Sequence, residues 1–363
     1  MRVLFTSVDW TGHLFPMVPL GWALRAAGHD VRVLCSAGLA PAASRAGLTP
    51  LPLLETTGVV QARMNNHLRA LAGHGRTDGL PPVHPLTGAE MDRLEDFDLA
   101  GLTGGEQARE RWVRRRRDIL RGLVDQWRPD LVVHDLSSVD GRAVAELADV
   151  PAVAHLWGLV ADAEPEDEMD YRPEAIDTAF DLFRLTGRGA TISHVLDPTP
   201  DSLAPPVKAQ RLPMRYVPYN GTGAAPVWTL EPRTRPRVCV VWGTSVTKVY
   251  GPRSFLVPRV VEALGGLDLD VVLAVDGGDL SGVGALPANT ALLRERAPLH
   301  ALLSGCDAVV HNGAAGSAMT ALAAGVPQLA LSISDEQAGN GIRVAAGGSG
   351  LHLAGPPSEP AAI

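Results

Sequence analysis

A chain of 363 residues exceeds the ~250 to 300 residues at which a single hydrophobic core stops growing, so its length predicts two domains. Hydrophobic residues make up 46% of the sequence and charged residues 20%, which excludes a disordered chain. The net charge of -8 argues against a nucleic-acid-binding protein, because such proteins carry a basic face.

The cysteines and the N-terminus narrow the class of protein further. Cys35, Cys239 and Cys306 are isolated in the sequence, without the spacing of a disulfide framework or of a zinc site. The apolar stretch at residues 3–5 is too short for the core of a signal peptide, and no apolar run reaches the ~18 residues of a membrane span. We therefore expect buried free thiols and a cytoplasmic protein with neither a metal site nor a membrane span.

The first half of the chain alternates apolar, β-branched runs with amphipathic helical patterns, which predicts a parallel sheet covered by helices. Between residues 55 and 105 the periodicity fails, and we expect loops and short helices there. The predicted strands are 2–8, 30–35, 48–53, 130–134 and 151–155. The predicted helices are 14–27, 38–46, 106–127, 139–148 and 173–185.

The second half repeats this alternation after a change of composition. Residues 218–236 are rich in Pro, Gly, Thr and Ala, which predicts a linker between a first domain at 1–217 and a second at 237–363. Because open α/β sheets bind ligands at the carboxyl ends of their strands, we expect a site in a cleft between the two domains. The predicted strands are 237–241, 270–275, 307–310 and 327–331, and the predicted helices include 258–264 and 317–324.

Two polar residues follow predicted strands of the first domain. His13 ends the segment Trp-Thr-Gly-His at 10–13, before the first helix, and Asp135 follows the strand at 130–134. A carboxylate that accepts a hydrogen bond from one ring nitrogen fixes the tautomer and stabilises the imidazolium, so this pair suits a general base. Two alternatives remain open on these residues: a histidine with a purely structural role, and an aspartate that caps the next helix.

Small residues follow two strands of the second domain. The segment His-Asn-Gly-Ala-Ala-Gly-Ser at 311–317 opens a helix, and Trp-Gly-Thr-Ser at 242–245 follows the strand at 237–241. Such segments let a phosphate approach the backbone N–H groups at a helix N-terminus. Neither matches a P-loop or a GxGxxG motif, and a tight turn before a buried helix is the alternative.

Together these motifs resemble the inverting nucleotide-sugar glycosyltransferases of the GT-B fold, particularly the actinomycete enzymes that decorate macrolides, enediynes and related natural products. The N-terminal mark is Gly-His-Leu-Phe-Pro at 12–16. The strongest mark runs through Pro-Leu-His-Ala-Leu-Leu at 298–303 and the segment at 311–317 to Glu336, Gln337 and Asn340. The order and spacing of these pieces carry the resemblance over most of the chain.

The resemblance implies an α/β chain whose two Rossmann-like domains face a central cleft, the first binding an acceptor and the second a donor. It implies a metal-independent transferase of the hexosyltransferase type, without cofactors, that inverts the anomeric centre. The co-substrate would be a nucleotide diphosphate sugar, with a TDP deoxysugar favoured over a UDP sugar. The acceptor would be a small, hydrophobic, hydroxylated molecule such as a polyketide-like aglycone, in antibiotic biosynthesis, and a homodimer is left open.

The resemblance also assigns roles to matching positions. His13 would be the base that deprotonates the acceptor, and Asp135 its supporting carboxylate. Arg296 and Ala297 would bind the nucleotide base, whereas Glu336 and Gln337 would bind the donor sugar. The donor diphosphate would contact Gly243, Thr244, His311, Gly313, Ala315, Gly316 and Ser317.

The sequence departs from the family pattern at several of these positions. Arg296 replaces a base-stacking aromatic residue, and Glu336 replaces the usual Asp. In the phosphate segment, Asn312, Ala314 and Ser317 replace more typical residues. Members of the family also continue for several tens of residues beyond the position of Leu353, so we expect a second domain that is shortened at its C-terminus.

Two other functions remain open on the sequence. A nucleotide-sugar epimerase would use the same donor site, and it would change the donor in the absence of any acceptor. A catalytically impaired nucleotide-binding helper protein would also fit the altered phosphate segment. Such a protein would bind nucleotide tightly without transferring sugar to any acceptor.

Overall fold

The computed structural model describes residues 1–73, 79–98, 105–160, 183, 185–186, 189, 191–275, 285–293, 296–355 and 363. For residues 105–109 only the backbone is described. Of the helix predicted at 173–185, only residues 183 and 185 lie within the described ranges. The chain divides into two compact units. Unit 1 comprises residues 1–58, 95–199 and 205–215, and unit 2 comprises residues 59–94, 200–204 and 216–363. The bounds predicted from the sequence, two domains at 1–217 and 237–363 with a linker at 218–236, remain a prediction.

Unit 1 is built on a seven-stranded parallel sheet. Its strands are β1 (Arg2–Thr6), β2 (Asp30–Ser36), β3 (Thr49–Leu54), β4 (Leu131–Asp135), β5 (Ala152–His155), β6 (His194–Asp197) and β7 (Gln210–Pro213). The described helices up to residue 148 are α1 (Thr11–Leu14), α2 (Val18–Ala26), α3 (Ala40–Arg45), α4 (Gly58–Leu71), α5 (Gly105–Trp127) and α6 (Val139–Ala148). Of these, α4 belongs to unit 2 from Val59 onwards.

The strands of this sheet lie in the order β3-β2-β1-β4-β5-β6-β7. Helices pack on the sheet, so its central strands have apolar middles, and Val3, Leu4 and Phe5 of β1 are fully buried. Leu120 of α5 and Val144 of α6 belong to the same core cluster as Leu4. The strand order reverses between β1 and β4, and open sheets bind ligands at the carboxyl ends of such a pair.

Unit 2 contains a second parallel sheet, of six strands in the order β10-β9-β8-β11-β12-β13. These strands are β8 (Arg237–Trp242), β9 (Asp270–Val275), β10 (Thr290–Leu292), β11 (Ala308–His311), β12 (Gln328–Ser332) and β13 (Gly350–Ala354). The described helices that follow them are α7 (Thr244–Tyr250), α8 (Val257–Leu264), α9 (Leu299–Leu303), α10 (Ala315–Ala324) and α11 (Asp335–Ala346). The reversal of strand order here falls between β8 and β11, which makes their carboxyl ends the expected ligand-binding edge of this sheet.

The alternating α/β pattern predicted from the sequence is confirmed in both units. The elements that the sequence pattern missed include β6, β7, β10, β13, α1, α4, α7, α9 and α11. Among the helices of the described ranges, none combines the length and the apolar character needed to cross a bilayer.

The prediction of loops and short helices from residue 55 onwards is wrong at α4, a helix of 14 residues. Asn65, Asn66 and His67 have low helix propensity, which hides the helix in the sequence. Contacts within unit 2 stabilise it: the side chain of Arg63 donates to the carbonyl oxygen of Lys248 at 2.5 Å. Packing against α7 therefore overrides the weak local preference.

Three strands carry a buried histidine at or next to their last residue: His134 in β4, His155 in β5 and His311 in β11. Burial penalises the charged imidazolium and lowers the pKa of each ring to about 4. The folded chain therefore keeps these rings neutral at pH values where an unfolded chain would protonate them.

We expect stability to fall as the pH drops from about 6.5 to about 4, because the unfolded state binds more protons than the folded state in this window. Each neutral histidine contributes stability that is fully present above the upper value and lost on the way down to the lower one. A His155→Asn variant keeps a donor in place of Nδ1–H. As the pH drops through this window, the unfolding free energy of the variant, measured by denaturant titration, should fall less steeply than that of the wild type. The difference in slope should be roughly 1.4 kcal/mol per pH unit. An unchanged slope would contradict the assignment.

Candidate active site

The structure brings together the histidine predicted to be a general base and the carboxylate predicted to support it, both in unit 1. His13 lies in α1, directly after the loop that follows β1, and Asp135 is the last residue of β4. Because β1 and β4 are neighbours in the sheet, their carboxyl ends present both side chains at one edge. His13 Nδ1 lies 3.2 Å from Asp135 Oδ1. The side chain of Asp135 is 1% exposed and that of His13 is 20% exposed.

The carboxylate of Asp135 is held by several donors. Its Oδ2 accepts from the backbone N–H of Val8 at 2.8 Å, and its Oδ1 accepts from the backbone N–H of Ser137 at 2.8 Å. Burial alone would raise the pKa of Asp135, but the charge and hydrogen bond of His13, together with these N–H groups, hold the pKa below its ordinary value. Asp135 is therefore ionised, and an ionised carboxylate accepts a hydrogen bond from Nδ1–H of the histidine.

Asp135 is not the N-cap of the helix that follows it. The N-cap of α6 is Ser138, whose side chain accepts from the backbone N–H of Gly141. The carboxylate of Asp135 faces the His13 loop instead. Since Nδ1 carries the proton, the neutral ring keeps its lone pair at Nε2, which is the nitrogen that could accept a proton from a ligand.

Trp157 is a site residue that the sequence analysis missed. It follows β5, the sheet neighbour of β4, and its ring centroid lies 4.1 Å from that of His13 with an angle of 40° between the planes. Trp157 is 7% exposed, so it gives the imidazole a rigid apolar wall. An aromatic residue just beyond a strand end was the available signal, but nothing in its spacing linked it to His13.

Asp9 anchors the loop that carries His13. The hydroxyl of Ser36 donates to one carboxylate oxygen of Asp9, and the backbone N–H of Gly58 donates to the other at 3.3 Å. A Cβ atom at Gly58 would lie 2.7 Å from the carbonyl oxygen of Asp9, so this close approach requires glycine. The loop after β1 is thus tied to β2 and to the start of α4.

The predicted phosphate segments lie at the reversal of strand order in unit 2. His311 ends β11 and pairs with Val241 of β8, so the segments that follow these two strands share one edge of the sheet. His311 is fully buried: its Nε2–H donates to Oε1 of Gln328 at 2.8 Å, and its Nδ1 accepts from the N–H of Gly313 at 2.9 Å. The ring therefore shapes the turn after β11, and its nitrogens are engaged by the protein.

Gly313 makes the turn that starts α10. Its φ of 79° lies in the left-handed region, and a Cβ atom here would lie 2.7 Å from the carbonyl oxygen of Gln337. Both observations require glycine. The amide of Asn340 donates to the carbonyl oxygen of Gly313 at 3.0 Å. Asn340, the last residue of the family motif, therefore has a structural role in holding this turn.

The N-terminus of α10 has the features of an anion site. Ala315, Gly316 and Ser317 form its first turn, and its N-cap residue, Ala314, contributes no side-chain cap. A Cβ atom at Gly316 would meet no atom within 4 Å, so there is open space beside this turn. Close by, Nδ2 of Asn312 is buried without a hydrogen-bond partner. A bound anion would satisfy such donors.

The second small-residue segment begins a helix in the same way. Gly243 is the N-cap of α7, and Thr244 is its first residue, directly after β8. Gly243 contributes no side-chain cap to the helix. These two residues therefore lie at the same edge of the sheet as the turn after β11.

The residues predicted to bind the donor sugar begin α11. Glu336 is exposed, whereas Gln337 is 7% exposed and completes a capping box with Ser334. Oε1 of Gln337 accepts from the backbone N–H of Ile333 at 3.0 Å, so this side chain fixes the turn before α11. Asp335, which was not predicted from the sequence, pairs through its carboxylate with Arg69 of α4 at 2.8 Å.

The residues predicted to bind the nucleotide base precede α9. Arg296 is exposed and Ala297 is half-buried. The backbone at Gly223 packs closely here, because a Cβ atom at Gly223 would clash with the carbonyl oxygen of Arg296. Among the described residues, no group of three or more His, Cys, Asp or Glu side chains is arranged to hold a metal ion.

Comparison with known proteins identifies the family. Residues 22–243 match the protein family described as "Erythromycin biosynthesis protein CIII-like, N-terminal domain". Residues 258–363 match the family of the corresponding C-terminal domain. The chain belongs to the CIII-like family of GT-B glycosyltransferases. Its two parallel sheets are the Rossmann-like sheets of that fold, so the fold class and the family predicted from the sequence are confirmed.

CIII-like relatives match almost the whole chain. L-demethylnoviosyl transferase of Streptomyces niveus is 36% identical over 354 residues, which cover 97% of this chain and 85% of the relative. Tylactone mycaminosyltransferase of Streptomyces fradiae is 30% identical over 379 residues, which cover 98% of this chain and 81% of the relative. This CIII-like chain is therefore a glycosyltransferase of the antibiotic-biosynthesis type.

Solved structures resemble this CIII-like chain as well. The spinosyn rhamnosyltransferase SpnG complexed with thymidine diphosphate has a TM-score of 0.72 and 31% identity, covering 100% of this chain and 88% of that chain. The same transferase complexed with spinosyn aglycone has a TM-score of 0.70 and 29% identity, with coverage of 100% and 88%. These structures contain a nucleotide and an aglycone, respectively.

Proposed function

We propose that the chain transfers a deoxysugar from a thymidine diphosphate donor to a hydroxyl group of a polyketide-like aglycone, with inversion at the anomeric carbon. The observation that carries this proposal is the hydrogen bond between His13 and the buried Asp135 at the reversal of strand order in unit 1. Membership of the glycosyltransferase family supports the reaction class. The thymidine diphosphate complex of SpnG supports the donor, and its aglycone complex supports the acceptor class.

In the proposed step, Nε2 of His13 takes the proton of the acceptor hydroxyl as its oxygen attacks the anomeric carbon. The bond from that carbon to the diphosphate oxygen breaks, and its electron pair leaves with the nucleoside diphosphate. A single displacement of this kind inverts the anomeric configuration. Asp135 stabilises the imidazolium through the Nδ1–H bond, and Trp157 keeps the ring in orientation.

The proposed donor site lies in unit 2. The N–H groups of Ala315 and Gly316 and the hydroxyl of Ser317 would bind the diphosphate, with Gly243 and Thr244 beside them. The buried, unpartnered Nδ2 of Asn312 supports an anion at this place. His311 and Gly313 would act by holding the turn, because the ring of His311 is engaged with Gly313 and Gln328. The helix N-terminus would neutralise the departing charge without a metal ion.

The other donor contacts are proposed from the geometry of their segments. Arg296 and Ala297 would bind the thymine base, and Glu336 would bind hydroxyl groups of the sugar. Gln337 would act through the turn before α11, where its Oε1 accepts from backbone N–H groups. Asp335 would share the sugar site, held in place by Arg69.

The test of the proposed function is a transfer assay with a thymidine diphosphate deoxysugar and a panel of hydroxylated aglycones, followed by mass spectrometry. The product should gain the mass of the sugar, and its anomeric configuration, determined by NMR, should be opposite to that of the donor. Donor alone should stay unchanged, which separates a transferase from an epimerase. A product with retained configuration would contradict the single displacement.

A methyl group at Gly316 tests the diphosphate site without disturbing the fold. Because a Cβ atom there meets no protein atom within 4 Å, Gly316→Ala should leave the thermal unfolding midpoint unchanged or raise it. The methyl would occupy space proposed for the phosphate. The dissociation constant for thymidine diphosphate, measured by calorimetry, should rise about tenfold, which corresponds to about 1.4 kcal/mol.

Gly122→Ala is the matched control, because a Cβ atom at Gly122 of α5 also meets nothing within 4 Å. This variant should bind thymidine diphosphate as the wild type does. Gly313→Ala should instead destabilise the fold by roughly 1–2 kcal/mol, because its backbone is left-handed. Wild-type affinity in Gly316→Ala would place the diphosphate elsewhere.

A further inference from the structure

An amide side chain outside the predicted site connects two of its helices. Asn220 lies before β8, and its Nδ2 donates to the hydroxyl of Thr320 in α10 at 2.9 Å. Its Oδ1 accepts from the backbone N–H of His300 in α9 at 3.0 Å, and also from Nδ1 of His300 at 3.0 Å. One side chain thus joins the start of α9 to the second turn of α10.

The hydroxyl of Thr320 uses its full hydrogen-bonding capacity in this network. It donates to the carbonyl oxygen of Gly316 at 2.6 Å, so its oxygen accepts from Asn220. Since its single proton is taken, Thr320 also accepts from the hydroxyl of Tyr216, at 3.2 Å. Thr320 is fully buried, which makes a lost partner costly. The network therefore reaches Gly316 in the first turn of α10.

The other end of the network lies next to the segment proposed for the nucleotide base. Asn220 supplies the N–H of His300 with an acceptor, and the N-cap of α9, Pro298, contributes no side-chain cap. Arg296 and Ala297 directly precede this helix. Gly223, three residues after Asn220, packs against the carbonyl oxygen of Arg296. Residues 220–223 therefore support the base segment from one side.

We propose that Asn220 is a positioning residue that fixes the spacing between the base segment at 296–297 and the diphosphate segment at 315–317. This inference rests on the proposed donor site. Asn220 need not touch the nucleotide: it holds α9 and α10 at the separation that a nucleoside diphosphate spans. Its contribution is therefore largest for a ligand that occupies both segments at once, and smallest for a fragment that occupies one of them.

The experiment compares three probes: thymidine diphosphate, thymidine and inorganic pyrophosphate, each titrated by ligand-observed NMR. In Asn220→Ala the dissociation constant for thymidine diphosphate should rise about tenfold, or about 1.4 kcal/mol. The constants for thymidine and for pyrophosphate should each stay within about twofold of the wild type. In the transfer assay, KM for the donor should rise while kcat at saturating donor stays unchanged.

A second pair of variants keeps the test independent of any folding defect in Asn220→Ala. Thr320→Ser retains the hydroxyl and should bind thymidine diphosphate like the wild type, whereas Thr320→Val removes it and should lose affinity as Asn220→Ala does. Thermal unfolding of the ligand-free variants checks the fold. The Thr320→Ser and Thr320→Val comparison then isolates the hydroxyl from the rest of the side chain.

The outcomes separate this inference from the proposed function. A wild-type chain that does not bind thymidine diphosphate would overturn both. A wild type that binds it, with Asn220→Ala and Thr320→Val binding equally well, would overturn the positioning role alone. Equal losses for all three probes would also overturn it, because a general structural defect weakens the fragments as much as the whole nucleotide.

Discussion

Replacing His13 by alanine is expected to lower kcat for sugar transfer by ~10²- to 10⁴-fold, the range that positioned general-base catalysis supplies. The acceptor hydroxyl would then have to lose its proton to water. The dissociation constant for thymidine diphosphate should not change, because His13 is not among the residues proposed to bind the nucleotide. Single-turnover transfer kinetics and calorimetric titration of the nucleotide measure the two quantities separately.

His29→Ala is the matched control for this prediction. His29 is also in unit 1, but it precedes β2, and its Nδ1 lies 3.3 Å from the N-terminal ammonium group. Its loss should leave kcat unchanged. If His13→Ala turned over as fast as His29→Ala, the base would have to be another group.

Asp135→Asn is expected to lower kcat by about 10²-fold or more, because the neutral amide no longer stabilises the imidazolium that forms during transfer. The amide also places an NH₂ group where one carboxylate oxygen accepts. The N–H groups of Val8 and Ser137 each donate to this carboxylate, so one of the donors loses its acceptor. A fall of about 1–3 kcal/mol in unfolding free energy should accompany the loss of rate.

Asp140→Asn is the control for this second effect. Asp140 is 8% exposed and pairs with Arg116 at 2.7 Å in the same unit, without contacting His13. Its replacement should destabilise the chain and leave kcat intact. The depressed pKa of Asp135 adds stability that is present above the unfolded-state value and lost as the pH falls through the folded-state value. Asp135→Asn should therefore flatten the loss of stability below about pH 4.

The pairing of His13 with Asp135 could be predicted because both residues follow the sheet to its carboxyl edge: Asp135 ends β4, and His13 comes after the loop that follows β1. Sheet order is not written in the sequence, yet parallel strands present their carboxyl ends at one edge, so His13 and Asp135 had to lie near each other if their strands were neighbours. Trp157 could not be predicted in the same way. Its contact with His13 depends on β5 pairing with β4 and on the turn that follows β5.

The glycine segment of unit 2 was recognisable, but the roles of its neighbours depend on the fold. Gly313 is needed because its backbone is left-handed and faces Gln337. The ring of His311 is hydrogen-bonded to Gln328, 17 positions further along the chain. The position of His311 before a glycine turn does not reveal this partner. Ser334 and Gln337 have the spacing of a capping box, a signal that could have located the start of α11.

The features that could not be predicted from the sequence depend on contacts between residues far apart along the chain. Arg69 and Asp335 are 266 positions apart, and their ion pair exists only because α4 packs in unit 2. The helix itself contains asparagine and histidine, so local propensity favoured loops. Asn220 reaches His300 and Thr320 across 80 and 100 positions from a segment whose composition predicts only a linker.

The proposed removal of the acceptor proton by His13, supported by Asp135, can be tested by varying the acidity of the acceptor. Transfer rates of the wild type and of His13→Ala would be measured on a series of phenolic acceptors with decreasing hydroxyl pKa. If His13 is the base, the rate advantage of the wild type over His13→Ala should shrink steadily as the acceptor hydroxyl ionises more easily by itself. A rate ratio that stays constant across the series would contradict a role of His13 in proton removal.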